Sequence, residues 1–242
     1  PKMPSDYRPI SITSVLSRTL ERIVVRDFIY PSLQSPPPHL DFTDQFAFQP
    51  GSSTTAALIH LLHNITAMLE TNPYVIVIAV DFSKAFDSVR HSTLLQKYAS
   101  LELQDNIYNW IVNYFQHRSH STTFQEQTSN RIEVTASVVQ GSSIGPASFV
   151  VTAADLHPLS PVNAMTKFAD DMYLIVPASN VNSCRLEVDH IEEWAQGNNL
   201  VLNRSKSAEL VIRTKSRRSA VEPPPPVLGF TRVEALKVLG VT

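Results

Sequence analysis

Two short segments hold the residues best suited to chemistry: VIVIAVDFSKAFDSV (75–89) and KFADDMYLIV (167–176). In the first, an apolar, mostly β-branched run ends on a carboxylate, Asp81. In the second, Asp170 and Asp171 stand side by side between two hydrophobic stretches, as at the tip of a β-hairpin. Carboxylates at the ends of buried strands lose solvation and repel one another. Two charges about 4 Å apart repel by about 4 kcal/mol at an effective dielectric of about 20. A site built this way calls for cations. Hard divalent ions with oxygen ligands are the natural partners, and Mg²⁺ takes one or two carboxylates and completes its shell with phosphate oxygens and water. That donor set suits two-metal phosphoryl transfer with Asp81, Asp170 and Asp171 as ligands. Taken singly, a strand-terminal Asp is commonly a cap or turn residue, and an Asp-Asp pair is commonly a solvated turn. Their joint occurrence is the signal.

The elements that must position these residues are legible from periodicity. Apolar spacing at Leu16, Leu20, Ile23, Val24 and Phe28 predicts a first amphipathic helix. A proline-rich connector, PSLQSPPPHL (31–40), follows it. Thr54 and Thr55 open a helix with an expected inner face of Leu58, Leu61, Leu62, Ile65 and Leu69, stopped by Asn72-Pro73. The run at 75–80 is apolar on both faces, which predicts a central, covered strand. Two helices are expected around Leu94–Tyr98 and Ile107–Phe115, and another over 147–156 after Gly145-Pro146. A further helix should end with Gly197 as its C′ residue, before a strand pair at 199–203 and 208–212. PPPP (223–226) is a stiff spacer before a final strand. Helices and strands mix without regular alternation or repeat, giving an α+β fold whose antiparallel sheet carries the site.

Composition sets outer bounds. The 242 residues suffice for one large domain or two lobes. The formal net charge of −2 is unusual for a protein that handles phosphates, and RTKSRR (213–218) is the only dense basic run. Cys184 is the single cysteine, so no internal disulfide forms, which fits a reducing, intracellular compartment. No apolar run is long enough to span a membrane. His60 and His63 share a helical face without a nearby third ligand. Ser142 and Ser143 lack the nucleophile-elbow pattern.

Blocks along nearly the whole chain resemble the reverse transcriptase domain of non-LTR retrotransposons (LINE elements), closest to the jockey-like and chicken-repeat-like group. SDYRPISITSVLSRTLERIV (5–24) and DQFAFQPGSSTTAAL (44–58) resemble its fingers segments. AVDFSKAFDSVRH (79–91), VVQGSSIGPASF (138–149), FADD (168–171) and LVLNRSKSAELVI (200–212) resemble its palm motifs, and LKVLGVT (236–242) the start of its primer grip. The chain departs from the family at Ala47-Phe48-Gln49, where Gly-Phe-Arg is common, and at Val139, where Pro is commoner.

The resemblance implies a right-hand polymerase, with fingers at approximately 1–73 and 92–139. The palm, with a ferredoxin-like antiparallel sheet, would occupy approximately 74–91 and 140–242, and the thumb would be missing. The chain opens PKMPSDY without an initiator Met or signal-peptide pattern, and the expectation is a fragment of a larger open reading frame. The implied activity is RNA-directed DNA polymerisation with two Mg²⁺ ions, Mn²⁺ being an alternative. RNA template, DNA primer and deoxynucleoside triphosphates would be its partners, with no membrane involved. Synthesis would take place in the nucleus if target-primed, or in the cytoplasm with the element's RNA. Asp81, Asp170 and Asp171 would be catalytic, and Lys206 would protonate the pyrophosphate leaving group. Phe82 would lend its backbone carbonyl, Phe86 would wall the sugar, Gln140 and Gly141 would contact nucleotide and template, and Arg8 would hold the triphosphate. Asp87 recurs in the motif as a local pairing or capping residue. The rival expectations are a catalytically inactive nucleic-acid-binding remnant and a template-free nucleotidyl cyclase.

Overall fold

The structure, a computed structural model, describes residues 11–37, 40–139, 141–214 and 221–241. The chain divides into two compact units, one of Pro1–Leu40 with Phe86–Ala154 and the other of Asp41–Ala85 with Asp155–Thr242.

The second unit is built on a five-stranded sheet. Its strands are β1 (Tyr74–Val80), β6 (Ala164–Phe168), β7 (Asp171–Pro177), β8 (Ala208–Arg213) and β9 (Thr231–Val233), in the order β6-β7-β1-β8-β9. All neighbours are antiparallel except the parallel β8–β9 pair. β1 is central, and its unbroken apolar run follows from burial on both faces. Val75 and Val77 pack with Tyr173 and Ile175 against Leu61 and Ile65 of α3 (Thr54–Thr71). Ile76 and Ile78, on the other face of the pleat, are equally buried.

Ser53 caps α3 by accepting from the Ala56 amide, and Asn72 ends the helix in an extended conformation. Its inner face is narrower than the apolar pattern suggested. Leu61 is buried, whereas Leu62 is 57% exposed, because residues at adjacent positions stand about 100° apart round the axis. α8 (Cys184–Gly197) buries Val188, Ile191 and Ala195. Gly197 is its last helical residue rather than C′. The left-handed conformation falls to Asn199 (φ 62°), one of the few residue types that tolerates it.

The expected strand at 199–203 does not form. Backbone pairing takes it to the residues beyond β1 instead, with Ser83 N donating to Val201 O at 2.9 Å and Asn203 N to Asp81 O at 2.8 Å. A turn at Asn203–Ser207 then separates this segment from β8.

The first unit is mainly helical. α1 (Val15–Val24) continues through a π-helical turn, Val25–Ile29, into α2 (Tyr30–Gln34). The predicted apolar positions are helical and Val24 among them is buried, but Leu16 is 83% exposed, and Val25 and Ile29 complete the buried side. A short turn of helix, α4 (Ala85–Ser88), and then α5 (His91–Ala99) and α6 (Asp105–Phe115) follow, before the short exposed strands β2 (Ser119–His120), β3 (Thr123–Phe124), β4 (Gln127–Thr128) and β5 (Ile132–Glu133). The innermost helix is α7 (Ile144–Thr152), almost wholly buried, with a single 3₁₀ turn at Ala153–Asp155. α7 begins earlier than periodicity suggested, because Gly145 and Pro146 lie within its first turn, where a missing N–H costs no helical bond. Gly145 has a steric reason, since a Cβ there would meet Val139 O at 2.9 Å.

The face of α3 can be tested by a pair of truncations. Leu61→Ala should destabilise by about 3 kcal/mol through cavity formation. Leu62→Ala should stay within about 0.5 kcal/mol, as for an exposed position. Urea unfolding of both variants checks the assignment; equal losses would contradict it.

Candidate active site

β1 delivers Asp81 by running out of the sheet. Beyond Val80 the backbone is held on both sides of its peptide units rather than by another strand. Asp81 N–H donates to Ser207 Oγ at 3.1 Å, and the same hydroxyl donates to Asn203 O at 2.8 Å. Asn203 N in turn donates to Asp81 O. Asp81 is thereby fixed through its main chain, leaving its carboxylate at the end of the strand. Phe82, next in sequence, turns its ring inward, buried and edge-on to Trp194 at 6.0 Å between centroids.

The hairpin of β6 and β7 brings the other two carboxylates. Phe168 pairs with Asp171, so Ala169 and Asp170 form a two-residue turn. Ala169 has φ 57°, and Asp170 is not in the left-handed region, the pattern of a type II′ turn. This turn overcomes the alternation that would otherwise send neighbouring strand residues to opposite faces. β7 pairs with β1 in a register that ends Val80↔Met172, so the next step of the ladder sets Asp171 across from Asp81.

Asp171 senses the other two carboxylates. Burial, then Asp170, then Asp81 raise the Asp171 carboxyl above the ordinary aspartate range. This holds although the Asp171 side chain is itself exposed. Among the described residues, no three His, Cys, Asp or Glu side chains close into a preformed metal cage. The donor set fits a hard divalent ion held by one or two carboxylates and sharing its remaining positions with phosphate oxygens and water. Asp81, Asp170 and Asp171 are the residues that would hold it.

Lys206 lies in the Asn203–Ser207 turn, exposed, directly before the serine that fixes Asp81. Its backbone N–H donates to Asn203 O at 3.1 Å, so the turn that steadies Asp81 also fixes the base of the lysine.

In the first unit, Phe86 stacks on Phe149 with centroids 4.7 Å apart and rings 22° from parallel. Its carbonyl accepts from Val138 N at 2.6 Å, which ties it to the motif at 138–149. Gly141 has φ 94°, the left-handed region that glycine enters without steric cost. Ser142 Oγ donates to Val139 O at 2.7 Å and accepts from Gly145 N at 3.0 Å, so this hydroxyl serves the turn. Arg8 and Gln140 lie outside the described residues, as does most of the basic run 213–218.

Several positioning groups were not singled out by sequence. Buried Glu21 accepts from Ser143 N at 2.7 Å and from Ser17 Oγ at 3.0 Å, joining α1 to the start of α7. Buried Lys167 donates to Leu156 O at 2.8 Å and pairs with Asp44 at 2.9 Å; burial lowers its pKa while Asp44 opposes the shift. His60, which the lack of a third ligand marked in sequence as a solvated or packing histidine, contacts Thr166 Oγ1 at 2.9 Å and packs on Phe46. The only sequence signal for Glu21 was its place within a matched block.

A profile of the family described as reverse transcriptase (RNA-dependent DNA polymerase) matches residues 1–242. The chain belongs to this family. A probable RNA-directed DNA polymerase from transposon X-element of Drosophila melanogaster is 27% identical over 251 residues, covering 98% of this chain and 26% of that protein. The RNA-directed DNA polymerase from mobile element jockey of the same organism is 24% identical, covering 89% of this chain and 25% of its own length. This reverse transcriptase chain therefore spans about a quarter of the length of these curated relatives. Both relatives are transposon or mobile-element proteins, in keeping with the jockey-like resemblance. Among solved structures, telomerase from Candida tropicalis in complex with the TWJ fragment of telomeric RNA superposes with a TM-score of 0.64 at 14% identity. That match covers 83% of this chain and 35% of the telomerase, and it shows a shared fold.

The raised Asp171 pKa predicts a pH-dependent stability. A carboxyl raised in the folded state contributes most when protonated, and its contribution is lost as pH rises through the folded-state pKa. Asp171→Asn should therefore stabilise the chain at pH 7, by about 0.5 kcal/mol given solvent screening. The gain should vanish below about pH 3.9, the ordinary aspartate value. Urea unfolding across pH checks this, and coincident curves at pH 7 would contradict the crowding.

Proposed function

We propose that this chain is the fingers and palm of a right-hand polymerase, and that it catalyses RNA-directed DNA synthesis in retrotransposition by two-metal phosphoryl transfer. The observation that carries the reading is the electrostatic convergence of Asp81, Asp170 and Asp171 at the end of β1. Two bound Mg²⁺ ions, or Mn²⁺, would lower the pKa of the primer hydroxyl and neutralise charge on the transferring phosphate.

The chain's own residues do the positioning. Asp81 and Asp170 supply shared oxygen ligands, and Asp171 adds charge to the same end of the sheet. The Phe82 carbonyl extends the donor set from a peptide whose side chain is locked in the core. Lys206 gives a proton to the departing pyrophosphate as a general acid. Phe86, braced by Phe149, walls the sugar against a 2′-hydroxyl. Gly141 allows close backbone approach by nucleotide and template, with Gln140 and Arg8 assigned to template and triphosphate contacts. RNA template, DNA primer and deoxynucleoside triphosphates are the proposed partners, with target-primed synthesis in the nucleus.

Primer extension on poly(rA)/oligo(dT) with Mg²⁺ or Mn²⁺, using the full open reading frame, tests the reading. Asp81→Asn and Asp170→Asn should each reduce extension by about 10²-fold or more, the scale of losing a central electrostatic group. Their melting temperatures should be unchanged or slightly raised. Normal extension by Asp81→Asn would overturn the site, and an inactive wild type would favour the nucleic-acid-binding remnant. Phe86→Val should still synthesise DNA but accept ribonucleotides more readily; unchanged discrimination would make Phe86 a core residue alone.

A further inference from the structure

The segment before α3 runs alongside β6 and is joined to it as a short parallel strap. Lys167 N donates to Asp44 O at 2.7 Å, and Phe46 N donates to Lys167 O at 2.8 Å. Gln45 sits between them, bridged to Lys167 and only 3% exposed. Its Oε1 accepts from Ala47 N at 3.0 Å and from Ala169 N, also at 3.0 Å. Both partners are backbone donors, so the amide orientation is determined: oxygen must face them. Nε2 is then left buried without an acceptor among the described residues. A buried donor left unpaired is costly, and it is tolerated here in exchange for the two bonds that the oxygen makes.

Ala169 is where such a bond is needed. It precedes Asp170, it is buried, and at φ 57° it occupies a conformation that glycine normally supplies in this turn. We propose that Gln45 is a positioning residue for the aspartate hairpin: its side-chain oxygen holds the Ala169 peptide left-handed and so aims Asp170. Glutamine suits the task better than glutamate, because a fourth carboxylate would add repulsion beside Asp170 and Asp171. The inference rests on the polymerase reading for its consequence in catalysis, but not for the clamp itself.

Two measurements separate these. Hydrogen exchange of the Ala169 amide should speed about tenfold in Gln45→Met, which keeps volume and removes the acceptor. Exchange should remain slow in Gln45→Glu, which keeps the acceptor, so the clamp is still tested if Met at this position unfolds the chain. In primer extension, Gln45→Met should lower kcat about tenfold with KM for the deoxynucleotide little changed. Adding Ala169→Gly should recover part of that loss, because glycine adopts the turn unaided.

Unchanged exchange in Gln45→Met, or fast exchange in Gln45→Glu, overturns the clamp. Faster exchange with unchanged kcat overturns the positioning role. If the wild-type chain extends no primer, the polymerase reading fails, and the exchange measurements alone still decide whether Gln45 holds the turn.

Discussion

Mutual repulsion among Asp81, Asp170 and Asp171 is the constraint to which the surrounding structure answers. Three like charges at one end of a sheet would separate if they were held only by flexible side chains. The fold resists by fixing the peptides rather than the carboxylates. Ser207 and Asn203 bind the main chain of Asp81, and Gln45 binds the amide that precedes Asp170. The carboxylates are thereby held near one another, a charge arrangement that a divalent cation would relieve.

The same logic accounts for polar groups deep in the second unit. Lys167 is buried within β6, two positions before the hairpin tip, and its ammonium is matched by Asp44 and the Leu156 carbonyl. Breaking such a pair leaves a buried charge uncompensated, so it joins the strap to β6 with little tolerance for change. The strap that carries Asp44 also carries Gln45. Hydrogen bonding, ion pairing and turn geometry therefore converge on two adjacent residues of the DQFAF block.

The first unit shows a parallel economy of support. Glu21 reaches from α1 to the amide of Ser143, and Ser142 closes the turn between Val139 and Gly145. Phe86 is braced by Phe149 from the innermost helix.

Sequence alone placed Asp81 at the end of the central strand and Asp170 and Asp171 at a hairpin tip, and fixed most helix positions. The ordered blocks also determined the family. Tertiary structure decided which side of each helix was covered. Leu16 and Leu62 satisfy helical periodicity yet are exposed, because periodicity marks a stripe without saying how much of it a neighbour covers. It also decided the pairing of 199–203, which lies beside Asp81–Ser83 rather than β8. Strand propensity is local, but a strand needs a free partner edge, and β1 had already taken β8 on that side. The roles of Gln45, Ser207 and Glu21 were likewise invisible in one dimension. Each acts through a hydrogen bond to a backbone amide more than 100 residues away, a contact that leaves no mark in local pattern.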